Sequence, residues 1–124
     1  GAGAAGLAAA KEMRQQGHTV TVIEQATEVG GVWCYDEQVE DDPLSKGSKK
    51  QVHSSMYRSL RTNLPREVMS FSDFPFGETF STLRYPPHSV VRDYLAAYAE
   101  ENSLLDIVSL GRRVDKVEPA AGGG

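Results

Sequence analysis

Apolar and polar positions alternate along this chain with two different periods. Positions 4–16 are rich in alanine, with Leu7 and Met13 as the larger apolar groups, and this predicts a helix. Gly17 stands where a left-handed C-cap closes such a helix. Positions 19–24, Thr-Val-Thr-Val-Ile-Glu, change side with the period of a strand. The clearest helical pattern spans 89–101: Val90, Val91, Tyr94, Leu95 and Tyr98 share one face, and Arg92, Asp93, Glu100 and Glu101 lie off it. Its cap is expected at His88 or Ser89, after Pro86-Pro87, and Tyr94 and Tyr98 are expected in the core. Positions 54–63 suggest a short helix that ends before Leu64-Pro65, because Pro65 steers Leu64 away from helical geometry. Phe71, Phe74, Pro75 and Phe76 have no helical period and read as a packed loop. The polar stretch 36–51, broken by Pro43 and Gly47, reads as a surface loop. Segments 106–110 and 113–117 read as short strands. No internal repeat is visible.

Turn, helix and strand in that order make the second half of a βαβ unit, so the fold class is α/β. The expected architecture is an incomplete Rossmann-like domain, a parallel sheet with flanking helices and no first strand. The 124 residues suffice for one small domain. A net charge of -4 argues against a nucleic-acid binder. Lys46, Lys49 and Lys50 follow the acidic group Glu37, Glu40, Asp41 and Asp42, which reads as a solvated charge run. No run of 18 apolar residues occurs, so no membrane segment is expected in this chain. Cys34 is the single cysteine; between Trp33 and Tyr35 it reads as a packed thiol in a reducing compartment. His18, His53 and His88 are too scattered to suggest a metal site. The chain opens directly on glycines and closes on Ala120-Ala121-Gly122-Gly123-Gly124. Both ends read as cut, so a fragment is expected.

The chemistry lies in the opening turn. Gly1, Gly3 and Gly6 fit G-x-G-x-x-G. The first glycine permits a tight turn, the second lets backbone approach a pyrophosphate, and the third lets the helix pack closely. The first free N–H groups of the helix and its positive dipole end hold phosphate charge. These are backbone contacts, so Ala2, Ala4 and Ala5 serve as well as any small residue. Glu24 ends the next strand about 20 residues on, where a carboxylate accepts from ribose hydroxyls. An acid there also disfavours a 2′-phosphate. The core motif alone does not separate FAD from NAD. The pair Gly30-Gly31 soon after Glu24 favours FAD, since a longer ligand needs the chain to turn back over it.

Four segments resemble the flavin-containing monooxygenases, and their plant-type S-oxygenating branch in particular. They are GAGAAGLAAAKEMRQQGHTVTVIEQ, EVGGVW, VHSSMYRSLRTNLPREVMSFSDFPF and RYPPHSVVRDYLAAYAEENSL, which together cover nearly the whole chain. The third is far more specific than the first. The resemblance implies an enzyme that holds FAD in this part and NADPH in a second domain absent from this chain. NADPH reduces the flavin, dioxygen gives a C4a-hydroperoxyflavin, and one oxygen atom passes to a nucleophilic nitrogen or sulfur of a small thioether or amine.

Carried over by residue, Gly1, Ala2, Gly3, Ala4, Ala5 and Gly6 would hold the pyrophosphate and Glu24 the ribose. Val32 and Trp33 would lie along the ribityl chain and flavin. Thr62, Asn63 and Leu64 would line the meeting place of flavin and nicotinamide, with Asn63 as the catalytic amide. Arg61, Arg66 and Glu67 are expected to form surface ion pairs. The NADPH glycine motif and the Phe-x-Gly-x-x-x-His stretch of the family are missing. Baeyer–Villiger-type or other two-dinucleotide flavoproteins, or an inactive FAD-binding fragment, are the alternative readings. A cytoplasmic protein is expected, with the endoplasmic reticulum membrane open to the longer protein.

Overall fold

The computed structural model describes residues 1–41, 44, 46 and 54–119. Helix α1 runs Ala4–Gln15 and buries Leu7 and Ala10. Gly17 closes it with φ +84°, a region open to glycine at little cost. The amides of Gly17 and His18 then fold back onto the carbonyls of Arg14 and Met13, at 2.9 and 3.1 Å. α1 thus ends as its sequence predicts.

Strand β1 (Val22–Ile23) pairs in parallel with β2 (Val108–Ser109), Val22 opposite Val108 and Ile23 opposite Ser109. The hydrogen bonds continue beyond the strands: Glu24 N–H to Ser109 O at 2.9 Å, Arg112 N–H to Glu24 O at 2.8 Å, and Gly111 N–H to Ala26 O at 2.9 Å. Of the strand expected over 19–24, only 22–23 is ordered as one. A strand exists through its ladder, and 19–21 meet no ladder partner among the described residues. The same reason corrects 113–117, which is exposed and irregular. The piece expected at 106–110 divides into a 3-10 turn, Leu105–Ile107, and β2.

The segment 36–51 opens with a short helix, α2 (Glu37–Asp41), rather than a loop. Asp36 starts it, its carboxylate accepting from Gln38 N–H at 3.0 Å. Leu44 is exposed; Lys49, Lys50 and His53 lie outside the described residues. Over 54–63 there is a single turn, closed by Leu60 N–H to Tyr57 O at 3.0 Å, where a helix was expected. Backbone groups there bond across the chain instead, Thr62 N–H to Pro86 O at 3.0 Å and His88 N–H to Leu60 O at 3.1 Å.

Helix α3 (His88–Glu101) carries the core, burying Val91, Tyr94, Leu95, Tyr98 and Ala99. They pack against Ala2, Leu7, Ala10, Val22, Val29 and Leu104. No side chain caps α3: Pro87 holds the cap position and His88 is the first helical residue. The expected cap fails because the two prolines end in an extended backbone, and the His88 ring is used elsewhere.

The phenylalanine loop packs on this helix, as its aperiodic pattern predicts. Tyr94 stacks on Phe76 with centroids 4.2 Å apart at 10°, and Phe71, Phe74 and Phe80 surround it. Its hydroxyl accepts from Phe71 N–H at 2.8 Å and donates to Phe74 O at 2.5 Å. Burial pushes the Tyr94 hydroxyl above its ordinary pKa. Tyr94→Phe keeps the stacking and strands both backbone partners, so it is expected to lower stability by about 1–3 kcal/mol. Urea unfolding measures this, and an unchanged midpoint would show that the two bonds contribute nothing.

Arg66 departs from expectation. It is 6% exposed, not a surface group. Its guanidinium donates to Leu83 O at 2.9 Å and its backbone N–H to Arg84 O at 2.9 Å. The expected ion pairing is present, with Glu67 and Glu78 each 3.7 Å away; only the burial of Arg66 differs. Arg66 therefore ties residues 83–84 to the loop after Pro65.

Candidate functional site

The two glycine pairs meet. A Cβ built on Gly31 would lie 2.8 Å from Gly3 Cα, and one on Gly3 would lie 3.4 Å from Gly31 Cα. Gly30 N–H donates to Ala2 O at 2.9 Å. Gly30 and Gly31 have φ of +134° and +59°, which strains any side chain there. A Cβ on Gly6 would fall 1.8 Å from Gly1 O. These contacts leave a narrow backbone cradle at the start of α1. Gly3 caps α1 with no side-chain bond, and the first turn holds no acid. The leading N–H groups of a helix have no intrahelical acceptor, and the positive end of the helix dipole lies with them.

Glu24 is 6% exposed. Strand parity puts it on the buried face with Val22, two residues back. Its Oε2 accepts from Ala2 N–H at 2.6 Å and its Oε1 from Ala26 N–H at 2.8 Å. The carboxylate therefore pins the glycine turn to the end of β1. It also borders a cavity of about 380 Å³ with Gly1, Gln25, Arg112 and Arg113. Sequence reading missed the two arginines. The signal was indirect: once β2 pairs with β1, residues just after β2 must lie beside those just after β1.

Val32 and Trp33 follow the second glycine pair in a 3-10 turn, Gly31–Trp33. With Ser54, Ser55, Met56 and Leu60 they line a second cavity of about 370 Å³. Val32 is exposed, while Trp33 packs partly on the core. Thr62, Asn63 and Leu64 line neither cavity. Thr62 is buried and its hydroxyl donates to Leu64 O at 2.8 Å, closing the turn. Asn63 is thereby relieved of that duty, and its exposed amide makes no hydrogen bond among the described residues.

Cys34 lies under the Gly30-Gly31 turn. It is buried, and its thiol contacts Val29 O at 3.4 Å. Burial, with the charge of Glu28 next, pushes the thiol up to about 11 from an ordinary value near 9. The folded chain thus holds the proton more tightly than the unfolded chain. Its stabilising contribution is complete below pH 9 and is lost as pH rises through 11. Cys34 is expected to resist iodoacetamide at pH 8 when folded and to react readily in urea. Fast labelling of the folded protein would contradict the packed thiol.

Among the described residues no helix is long and apolar enough to cross a membrane.

A helix start ringed by glycines and braced by a carboxylate at the end of a parallel strand defines the class of site. The chain belongs to the flavin-binding monooxygenase-like family: the profile described as FMO-like, Flavin-binding monooxygenase-like, matches residues 1–121. Among individual relatives, the Arabidopsis thaliana flavin-containing monooxygenases FMO GS-OX2 and FMO GS-OX-like 2 are 50% and 48% identical over 98% and 100% of the chain. The chain spans 28% of the length of each. The S-allyl-L-cysteine S-oxygenase from Allium sativum superposes with a TM-score of 0.86 at 45% identity, covering 98% of this chain and 29% of that one. An oxidised steroid monooxygenase bound to NADP superposes with a TM-score of 0.64 at 25% identity, covering 90% of this chain and 18% of that one.

Proposed function

We propose that this chain is the FAD-holding part of a longer NADPH-dependent monooxygenase that transfers oxygen to the sulfur of small thioethers. The observation that carries the reading is the meeting of Gly3 with Gly31 at the uncapped start of α1, above the Glu24 carboxylate. A pyrophosphate needs close backbone, unpaired N–H groups and no Cβ in the way, and the cradle meets each condition. The architecture that fits is a Rossmann-like half-domain.

A carboxylate offers four lone-pair positions. Ala2 and Ala26 occupy two of them, which leaves two for a pair of ribose hydroxyls in the adjoining cavity. Val32 and Trp33 supply an apolar wall for the next part of a long ligand. When bound, FAD supplies the redox chemistry, accepting reducing equivalents from NADPH and activating dioxygen. The protein's share is placement and exclusion of water. Asn63 has an amide that donates and accepts without titrating, which suits a site where an acid would discharge the activated oxygen as peroxide.

Sulfur is favoured over nitrogen as the acceptor by the garlic relative, an S-allyl-L-cysteine S-oxygenase of 45% identity. NADP is favoured by the solved relative that binds it. The test is expression of the intact enzyme with its flavin spectrum recorded and NADPH oxidation followed against thioethers and tertiary amines. Sulfoxide formation in step with NADPH oxidation is the expected result. A protein that binds no flavin, or that oxidises amines alone, would overturn the proposal.

A further inference from the structure

His88 is 9% exposed, has no part in the proposed chemistry, and stands where three segments meet. Its backbone N–H donates to Leu60 O at 3.1 Å, while Pro86 O accepts from Thr62 N–H at 3.0 Å. Pro86 and Pro87 have no N–H to give, so His88 is the first residue after them able to donate to the 58–62 stretch. The ring makes a second tie, with Nε2 3.2 Å from Arg58 O. A carbonyl only accepts, so Nε2 carries the proton and Nδ1 is left as an acceptor. Nδ1 is buried and has no partner among the described residues. The ring also meets Tyr35, centroids 5.4 Å apart at 40°, and Tyr35 lies two residues after Trp33.

The orphaned nitrogen is informative. An apolar ring here would fill the same space without an unpaired ring nitrogen. Packing alone thus fails to account for a histidine. What only the histidine supplies is the donor to Arg58 O.

We infer that His88 is a positioning residue for the candidate site. It fastens the 58–62 stretch to the start of α3 and, through Tyr35, to the segment that carries Val32 and Trp33. It thereby sets where Thr62, Asn63 and Leu64 stand relative to that apolar wall. The lock follows from the hydrogen bonds alone; its consequence for oxygen transfer rests on the proposed function.

Two variants of the intact enzyme separate the contributions. His88→Phe keeps the ring and its contact with Tyr35 but removes the donor. His88→Gln gives up the ring and keeps an N–H near the position of Nε2. Two readouts apply: deuterium exchange of peptides covering 58–64, recorded without NADPH or substrate, and hydrogen peroxide released per NADPH during turnover. His88→Phe is expected to speed exchange over 58–64 by about tenfold, a local opening. Peroxide release should rise with it, while flavin content and exchange over 90–101 stay at wild-type values. His88→Gln is expected to restore both readouts towards wild type. The inference is overturned if His88→Phe leaves 58–64 as protected as wild type, if Gln behaves like Phe, or if exchange rises equally along α3. An Asn63→Ala variant measured alongside isolates the functional reading: if it stays fully coupled, the reading of Asn63 fails, and exchange over 58–64 still decides the lock.

Discussion

Gly6→Ala is expected to leave the intact enzyme without retained flavin. The added Cβ would sit 1.8 Å from Gly1 O, a backbone atom, and 3.0 Å from Gly1 C. Backbone cannot swing aside as a side-chain tip can, so the turn and the first turn of α1 must separate. Forced overpacking of this kind costs about 1–3 kcal/mol and occasionally more, and it moves the amides that would hold the phosphates. Gly31→Ala combines two penalties, the left-handed φ of +59° and a Cβ 2.8 Å from Gly3 Cα. It should act in the same direction by closing the cradle from the other side.

Two other glycines serve as controls. Gly17→Ala meets nothing within 4 Å but inherits φ +84°, so it should cost about 1 kcal/mol in strain and leave flavin content alone. Gly77→Ala meets nothing and has no such φ, so it should be close to neutral. The measurement is flavin per polypeptide, from the ratio of visible to ultraviolet absorbance after gel filtration, with thermal unfolding in parallel. If Gly6→Ala retains a full complement of flavin, the backbone cradle is not the phosphate site.

The contrast between these glycines shows what could be read from the sequence. Gly6 and Gly17 are one residue type in one helical neighbourhood, and spacing distinguished them, one as the close-packing member of G-x-G-x-x-G and one as a helix stop. Both readings rest on local geometry: Gly17 does close α1, and Gly6 is in close contact, with the backbone of Gly1 in the same turn. α3 was legible for the same reason, since its stripe of Val91, Tyr94, Leu95 and Tyr98 repeats at helical spacing and is buried. The approach of Gly31 to Gly3 was not legible, because a contact between residues so far apart in sequence leaves no periodic mark.

The 54–63 stretch failed as a helix on similar grounds. Its backbone is claimed by Pro86 and His88, which no local propensity records. Segment 113–117 has the composition of a strand, but composition cannot supply a neighbour. The burial of Arg66 was not legible because charge favours the surface only until carbonyls such as Leu83 O replace water around a guanidinium. Within the candidate site, Glu24 was found from its distance to the glycines, whereas Arg112, Arg113 and His88 depend on tertiary pairing.

Glu24 carries the second large prediction, and its chemistry separates bracing from ligand recognition. In Glu24→Gln one oxygen can still accept an N–H, but the amide NH2 must face the other. One of Ala2 N–H and Ala26 N–H therefore meets a donor, with a stability loss of about 1–3 kcal/mol expected. Glu24→Ala removes both acceptors but opens the adjoining cavity of about 380 Å³ to water, which partly replaces them. Gln is accordingly expected to be no milder than Ala for stability, the reverse of the usual order for a conservative change. Ligand recognition is read separately by competing flavin with ADP and with 2′-deoxy-ADP. In the wild type the missing hydroxyl should weaken binding about tenfold, as for a hydrogen bond to a charged acceptor. In Glu24→Ala the two nucleotides should bind alike, because the acceptor that tells them apart is gone. If ADP and its deoxy analogue differ as much in Glu24→Ala as in wild type, the carboxylate is a brace for the glycine turn and the ribose is held elsewhere.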